Sequence, residues 1–163
     1  MRGDIQDAKR VLADLLTSEL PDALAAVDAE KDDGTETPIP TQIFTGEKVN
    51  VSTLGLPVGE IVGIKTVYST EDAFDKRCVH EVHVWWTDAG DDELVITRTV
   101  ERLVRATRDV LWPEDEAPIS LPGIHSGPVQ IVSEDYTHLA PHINKTGFVK
   151  GSWSVLLIPT FTV

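Results

Sequence analysis

The sequence predicts an α+β protein: a mostly antiparallel sheet with one long amphipathic helix packed on a face, plus N-terminal helices and a long loop or arm. Apolar residues recur with a helical period near the N-terminus and over residues 91–112, whereas four other segments show the alternation and β-branched residues of strands. The resulting order is two helices, two strands, one helix and two strands, which favours an antiparallel sheet covered by helices. The 163 residues suit a single domain over 1–163.

The first thirty residues are predicted to form two helices. Apolar residues from Ile5 to Leu16 follow the 3.6-residue period of an amphipathic helix, and Asp4 is placed to cap it. Because proline fits the first turn of a helix better than its interior, Pro21 predicts a break. We expect one helix over residues 4–19 and a second over 21–30.

Residues 31–59 are predicted to be an extended loop or arm. Their first ten residues, KDDGTETPIP, are charged and rich in turn formers, and glycine and proline recur in the remainder. Two β-prone pieces, Gln42–Phe44 and Lys48–Val51, lie within this segment. We expect one or two short strands there.

Two clear strands are predicted in the middle of the chain. Residues 60–68 are rich in β-branched side chains, and residues 78–87 alternate with a period of two. Both faces of the second strand carry large apolar groups towards its end, where Trp85 and Trp86 are adjacent. Such a strand is covered on both sides or contacts another subunit. We expect Trp85 to anchor a subunit interface.

The strongest helix signal lies in the segment 88–112. Acidic residues crowd its first turn, where they favour the helix macrodipole, and Pro113 ends it. Two further strands are predicted over residues 127–139 and 150–163. Pro159 lies within the last strand and predicts that part of its edge is free.

The chain is strongly acidic, with 27 acidic and 14 basic residues and a net charge of −13. Tight binding of nucleic acid needs Lys and Arg that displace counterions from phosphates, so this balance argues against a sequence-reading DNA binder. It does allow DNA to pass without being bound. No apolar run approaches the ~20 residues that span a bilayer, and the N-terminus lacks a signal-peptide core. We expect no membrane partner and synthesis in the cytoplasm.

The stretch HEVH raises the question of a metal site or an enzyme. Zinc proteases place two histidines four residues apart on one helical face. Here the spacing is three in a predicted strand, so His80 and His83 point to opposite faces. The remaining histidines lie in or near predicted loops: His125, His138 and His142. Common nucleophile and nucleotide-binding motifs are absent from the sequence. The sequence predicts no catalytic, cofactor-binding or metal-binding residue; a histidine-site metalloenzyme is the weaker alternative.

Three arginines, Arg98, Arg102 and Arg105, lie along one face of the long helix. One interpretation is a solvated face with local pairs such as Arg98 with Glu101. The other is a contact surface for an acidic partner, which a second copy would supply because residues 1–48 hold eleven acids and five bases. A basic helix on one copy and an acidic arm on the next would form a head-to-tail contact that closes into a ring if the rotation permits.

The order of elements resembles that of the tail terminator (tail completion) proteins of long-tailed bacteriophages. The resemblance runs from about His80 to Val163 and covers the strand HEVHVWW, an acidic turn, the helix ERLVRATRDVLW and the closing segment GSWSVLLIPTFTV. The N-terminal helix agrees more weakly. No catalytic signature defines this family, so the resemblance is one of pattern.

The resemblance implies a structural virion protein that is not an enzyme. Such proteins form a ring, typically a hexamer, on the head-proximal end of the tail tube, where they stop polymerisation and dock to the head connector. Its partners would be further copies, the tube protein, a connector or neck protein and passing genomic DNA, after assembly in the host cytoplasm. The acids Asp32, Asp33, Asp91 and Asp92 are candidates for the lumen of the ring. The alternative is another head–tail connection component, a neck or adaptor protein.

Overall fold

The computed structural model describes residues 4–46, 55–69, 77–90, 92–113, 129–131, 133, 150–157 and 159–162. Within these ranges the α+β prediction is confirmed, because two helices pack on one face of a mixed, mostly antiparallel sheet. The helices are α1 (Ile5–Lys31) and α2 (Glu93–Leu111); the strands are β1 (Ile43–Phe44), β2 (Val58–Ser69), β3 (Arg77–Gly90), β4 (Gln130–Ile131), β5 (Lys150–Leu157) and β6 (Pro159–Thr162). Neither described helix is both long enough and apolar enough to cross a membrane.

Helix α1 begins with a capping box. The Asp4 carboxylate accepts a hydrogen bond from the Asp7 amide at 2.9 Å, and the Asp7 carboxylate accepts one from the Asp4 amide at 3.4 Å. These two bonds satisfy backbone donors that a helix start would otherwise leave without partners.

The predicted break at Pro21 is wrong, because α1 is one continuous helix that contains this proline. Proline has no amide hydrogen to donate to the Thr17 carbonyl, and a proline in the interior of a helix destabilises that helix by about 3 kcal/mol. Apolar residues before and after the proline nevertheless lie on a single buried stripe: Leu12, Leu16, Leu20, Leu24 and Val27. Burial of such side chains stabilises the fold by about 2 kcal/mol each, so the shared stripe outweighs the cost of the proline.

The sheet is built around β3. β2 pairs antiparallel along one edge of β3, while β5 pairs with residues 84–90 and β6 with residues 79–81 along the other. The single strand predicted over 150–163 is therefore two strands, and Pro159 begins the second of them opposite Ile131 of β4. Most of the strand predicted over 127–139 lies outside the described residues.

The described part of the 31–59 segment lies against the body of its own chain. Asp32 ends α1 in the left-handed conformation with φ of 46°, and Thr37 is buried. The Thr41 amide donates to the Pro57 carbonyl at 3.0 Å, and β1 then pairs in parallel with β2. The predicted piece Gln42–Phe44 is confirmed as β1, whereas Lys48–Val51 lies outside the described residues.

Helix α2 confirms the strongest helix prediction except at the start of the predicted segment, because residues 88–90 belong to β3. The Asp92 side chain caps it by accepting from the amides of Leu94 at 2.9 Å and Val95 at 3.4 Å. Its buried stripe includes Ile96, Val100, Leu103, Val104 and Leu111. This stripe and that of α1 enclose one core with the inward residues of the sheet: Ile61, Val82, Val84 and Trp86.

Candidate functional site

Arg102 lies at the contact between the two helices. It is 5% exposed, and its guanidinium donates to Asp28 of α1 at 2.6 Å and to Asp33 in the turn after α1. A third contact joins its Nη1 to the Thr35 carbonyl oxygen at 3.4 Å. Since a buried guanidinium requires several acceptors, this arrangement holds the turn after α1 against α2.

Asp28 links Arg102 to the segment between α1 and β1, which we call the α1–β1 connector. Its carboxylate also accepts from the Thr37 amide and from the Thr37 hydroxyl, each at 2.6 Å. Burial tends to raise the pKa of Asp28, but these bonds and the guanidinium of Arg102 hold it below its usual value. The pKa of Asp33 is also lowered, first by the Thr35 amide and then by Arg102.

Arg105 is held by acids of its own chain as well. It contacts Glu30 near the end of α1, and its Nε lies 3.7 Å from Asp109 one turn further along α2. The basic helix and the acidic segment predicted to meet between two copies therefore meet within one chain. For Arg102 the predicted role in a subunit interface is wrong, because its side chain is buried.

Arg98 differs from the other two arginines. Neither Arg98 nor Lys31 forms an ion pair within the described part of the chain. Both border an open cleft of about 530 Å³ between the end of α1 and the outer face of α2, whose described lining is Val27, Lys31, Arg98, Glu101, Arg102 and Arg105. Because acids of the same chain already hold Arg102 and Arg105, the charge available to a partner is that of Arg98 and Lys31.

The two histidines of HEVH lie on opposite faces of β3, as predicted. His80 is buried on the helix-covered face, where its Nδ1 lies 3.0 Å from the Thr66 hydroxyl. His83 lies on the other face, 3.9 Å from Glu81, and burial lowers its pKa against the opposing effect of that carboxylate. No group of three or more His, Cys, Asp or Glu side chains in the described ranges is placed to hold a metal ion. His125, His138 and His142 lie outside those ranges.

Trp85 lies on the same face as His83 and is partly buried. The two rings stack with centroids 6.3 Å apart and an interplanar angle of 30°. Across the strand pair, Glu60 of β2 lies opposite Trp85, and burial raises the pKa of Glu60 while Lys9 opposes the shift. The interface role of Trp85 stays a prediction.

The four acids proposed for a lumen have different positions. Asp32 is exposed at the end of α1, Asp33 is bound to Arg102, and Asp92 caps α2. Asp91 lies outside the described residues. Asp33 and Asp92 thus have local structural roles in addition to their charge.

Sequence reasoning missed Asp28 and Thr37, the two residues that complete the Arg102 cluster. A signal was present, since Asp28 is an acid near the end of the helix predicted over residues 21–30. Its contact with Arg102 depends on how the helices pack, which periodicity does not report. No family model matches the chain, and no curated protein matches it in sequence.

Proposed function

We propose that this chain is a structural subunit of a long-tailed bacteriophage that forms a ring at the head-proximal end of the tail tube. The ring ends tube polymerisation and presents the surface to which the head connector docks. The role is mechanical, and the subunits act as a collar through which genomic DNA passes.

The unit formed by β3 and α2 carries this proposal. β3 leads through the Asp92 cap directly into α2, and both β5 and β6 return to pair with β3. The resemblance to tail terminator proteins covers these same elements in the same order.

The charge of the chain supports a collar around DNA. A net charge of −13 repels phosphate, so DNA inside a ring of such subunits would slide without being retained. Of the acids predicted to line the lumen, Asp32 and Asp92 are exposed in the subunit, which is compatible with a role in this repulsion.

Native mass spectrometry and negative-stain microscopy test the proposal, with the protein alone and mixed with tail tubes of the virus that encodes it. We expect a discrete ring that caps tubes at one end and stops their elongation when it is added to polymerising tube protein. An unrelated protein of similar size and negative charge serves as the control for unspecific effects of acidity.

Each result discriminates between functions. Tubes that elongate at both ends in the presence of excess protein contradict the proposal. Binding to finished, capped tails or to isolated connectors, with no binding to bare tubes, would instead assign the chain to the neck or adaptor class.

A further inference from the structure

The outward face of α2 is a continuous stripe. Its members within α2 follow one another at intervals of four, three, four and three residues, which places them on one side of the helix: Leu94, Arg98, Glu101, Arg105 and Arg108. Trp112, the C-cap residue directly after α2, is grouped with them. Leu94 is 81% exposed and Trp112 is 48% exposed, so both ends of the stripe present large apolar side chains to solvent. We call this surface the α2 stripe.

The α2 stripe borders the cleft that contains the two available cations. Arg98 is half-buried and Lys31 is exposed, and neither forms an ion pair within the described part of the chain. Among the described residues that line the cleft, Glu101 is the one acid. On a chain of net charge −13, this is a local site of attraction for carboxylates.

The outward face of α1 has the complementary charge. Five exposed residues form this face: Asp14, Ser18, Asp22, Ala25 and Ala29. Asp14 and Asp22 supply the negative charge, and the other three side chains are small enough to permit close approach of another helix. Asp14 and Asp22 form no ion pair within the described part of the chain. We call this surface the α1 stripe.

We propose that the α2 stripe of one copy docks on the α1 stripe of a second copy, with Arg98 and Lys31 facing Asp14 and Asp22. Arginine and tryptophan are residue types that dominate binding energy at interfaces, and the α2 stripe has both beside an apolar end. The two stripes are different surfaces of the subunit, so a contact that each pair of copies makes once is head-to-tail and propagates from copy to copy. This inference rests on the proposed ring and names the surfaces that close it.

Reciprocal charge reversal tests the contact. The first variant carries Lys31→Glu and Arg98→Glu, and the second carries Asp14→Lys and Asp22→Lys. Each variant alone brings like charges together, so we expect its self-association to weaken at low salt by at least about tenfold, equivalent to about 1.4 kcal/mol. An equimolar mixture restores both contacts in alternation, and assembly should return in the mixture.

The control and the overturning results are specific. Lys65→Glu on β2 changes the net charge as much as Arg98→Glu does, but it lies on the sheet and should leave assembly unchanged. Thermal melting of every variant checks that the fold is retained. Assembly of both variants at wild-type strength, or a mixture that stays dissociated, overturns the inference.

Failure of this contact and failure of the proposed function are separable. If the wild-type protein caps tubes while both reversed variants assemble normally, the subunits cohere through another surface and the ring function stands. If the wild-type protein stays monomeric at high concentration, this contact is overturned, and tube capping alone decides the proposed function.

Discussion

Arg102 and Asp28 are separated by 74 residues in the sequence, and their side chains meet at 2.6 Å between the two helices. Asp28 also holds Thr37, so a single carboxylate connects α1, α2 and the connector between α1 and β1. A buried ion pair gains little over an apolar pair of the same shape, but removal of one partner leaves the other buried and unpaired. This cluster therefore fixes which way the connector leaves α1.

Arg102→Met should lower the free energy of unfolding by about 3 kcal/mol, because it leaves the Asp28 carboxylate without its cation. Methionine retains most of the apolar stem of arginine, so the decrease in the free energy of unfolding reports the removal of the guanidinium group. Urea unfolding at neutral pH measures the difference.

The cost of Arg102→Met should also depend on pH. The pKa of Asp28 is lowered in the folded protein, so its contribution to stability is present above its unfolded pKa and is lost as pH falls through the folded pKa. The difference between wild type and variant should shrink accordingly in acid. Arg98→Met, which removes an arginine that forms no ion pair within the described ranges, is the control and should change stability by less than about 0.5 kcal/mol. Equal losses in the two variants would contradict this account.

The stability of the Asp88→Asn variant relative to that of wild type should increase as pH rises. Asp88 is buried at the end of β3, and burial raises its pKa although bonds with the Ala89 amide and the Thr99 side chain oppose the shift. A raised folded pKa means that stability is highest while the carboxyl is protonated and falls as pH rises through that pKa. Asparagine keeps an acceptor but never ionises. Thermal melts from about pH 4 to about pH 7 test this expectation, and parallel profiles for the two proteins would refute it.

Gly59→Ala should destabilise the protein by about 2 kcal/mol through overpacking. A Cβ at Gly59 would lie 2.6 Å from the ring of Trp86, which is fully buried. Gly90→Ala is the matched control, since its Cβ would lie 3.8 Å from Ile96 in ordinary contact. Chemical denaturation of both variants gives the comparison, and a neutral Gly59→Ala would show that the Trp86 ring can shift.

Pro21→Ala should stabilise the protein by about 2 kcal/mol. Alanine restores the amide that can bond to the Thr17 carbonyl, and the gain exceeds the loss of proline's restriction of the unfolded chain. Pro40 lies outside any described helix, between α1 and β1, so Pro40→Ala restores no helical hydrogen bond and serves as the control. Calorimetric melting is the measurement; a lower melting temperature for Pro21→Ala would mean that proline's restriction of the unfolded chain outweighs the restored hydrogen bond.

The elements of this fold with strong local periodicity could be predicted from the sequence. The alternation around Val82 and Val84 identified β3 and placed His80 and His83 on opposite faces, because side-chain direction in a strand depends only on position in the chain. The spacing of Ile96, Val100 and Leu103 identified α2 in the same way. The acidity of the chain is likewise a property of composition alone.

Tertiary structure alone decided the rest. α1 continues through Pro21 because the apolar residues before and after it are buried in one core with α2 and the sheet, and this gain depends on segments far from the proline in sequence. Arg102 looked like part of a basic surface until the packing of α1 on α2 brought Asp28 and Asp33 to it. Local pattern reports which face a residue occupies, whereas the partner of a charged side chain depends on contacts between segments far apart in the chain. Arg98 and Lys31 form no ion pair within the described residues, because the packing of α1 on α2 places Asp28, Asp33 and Glu30 at Arg102 and Arg105 instead.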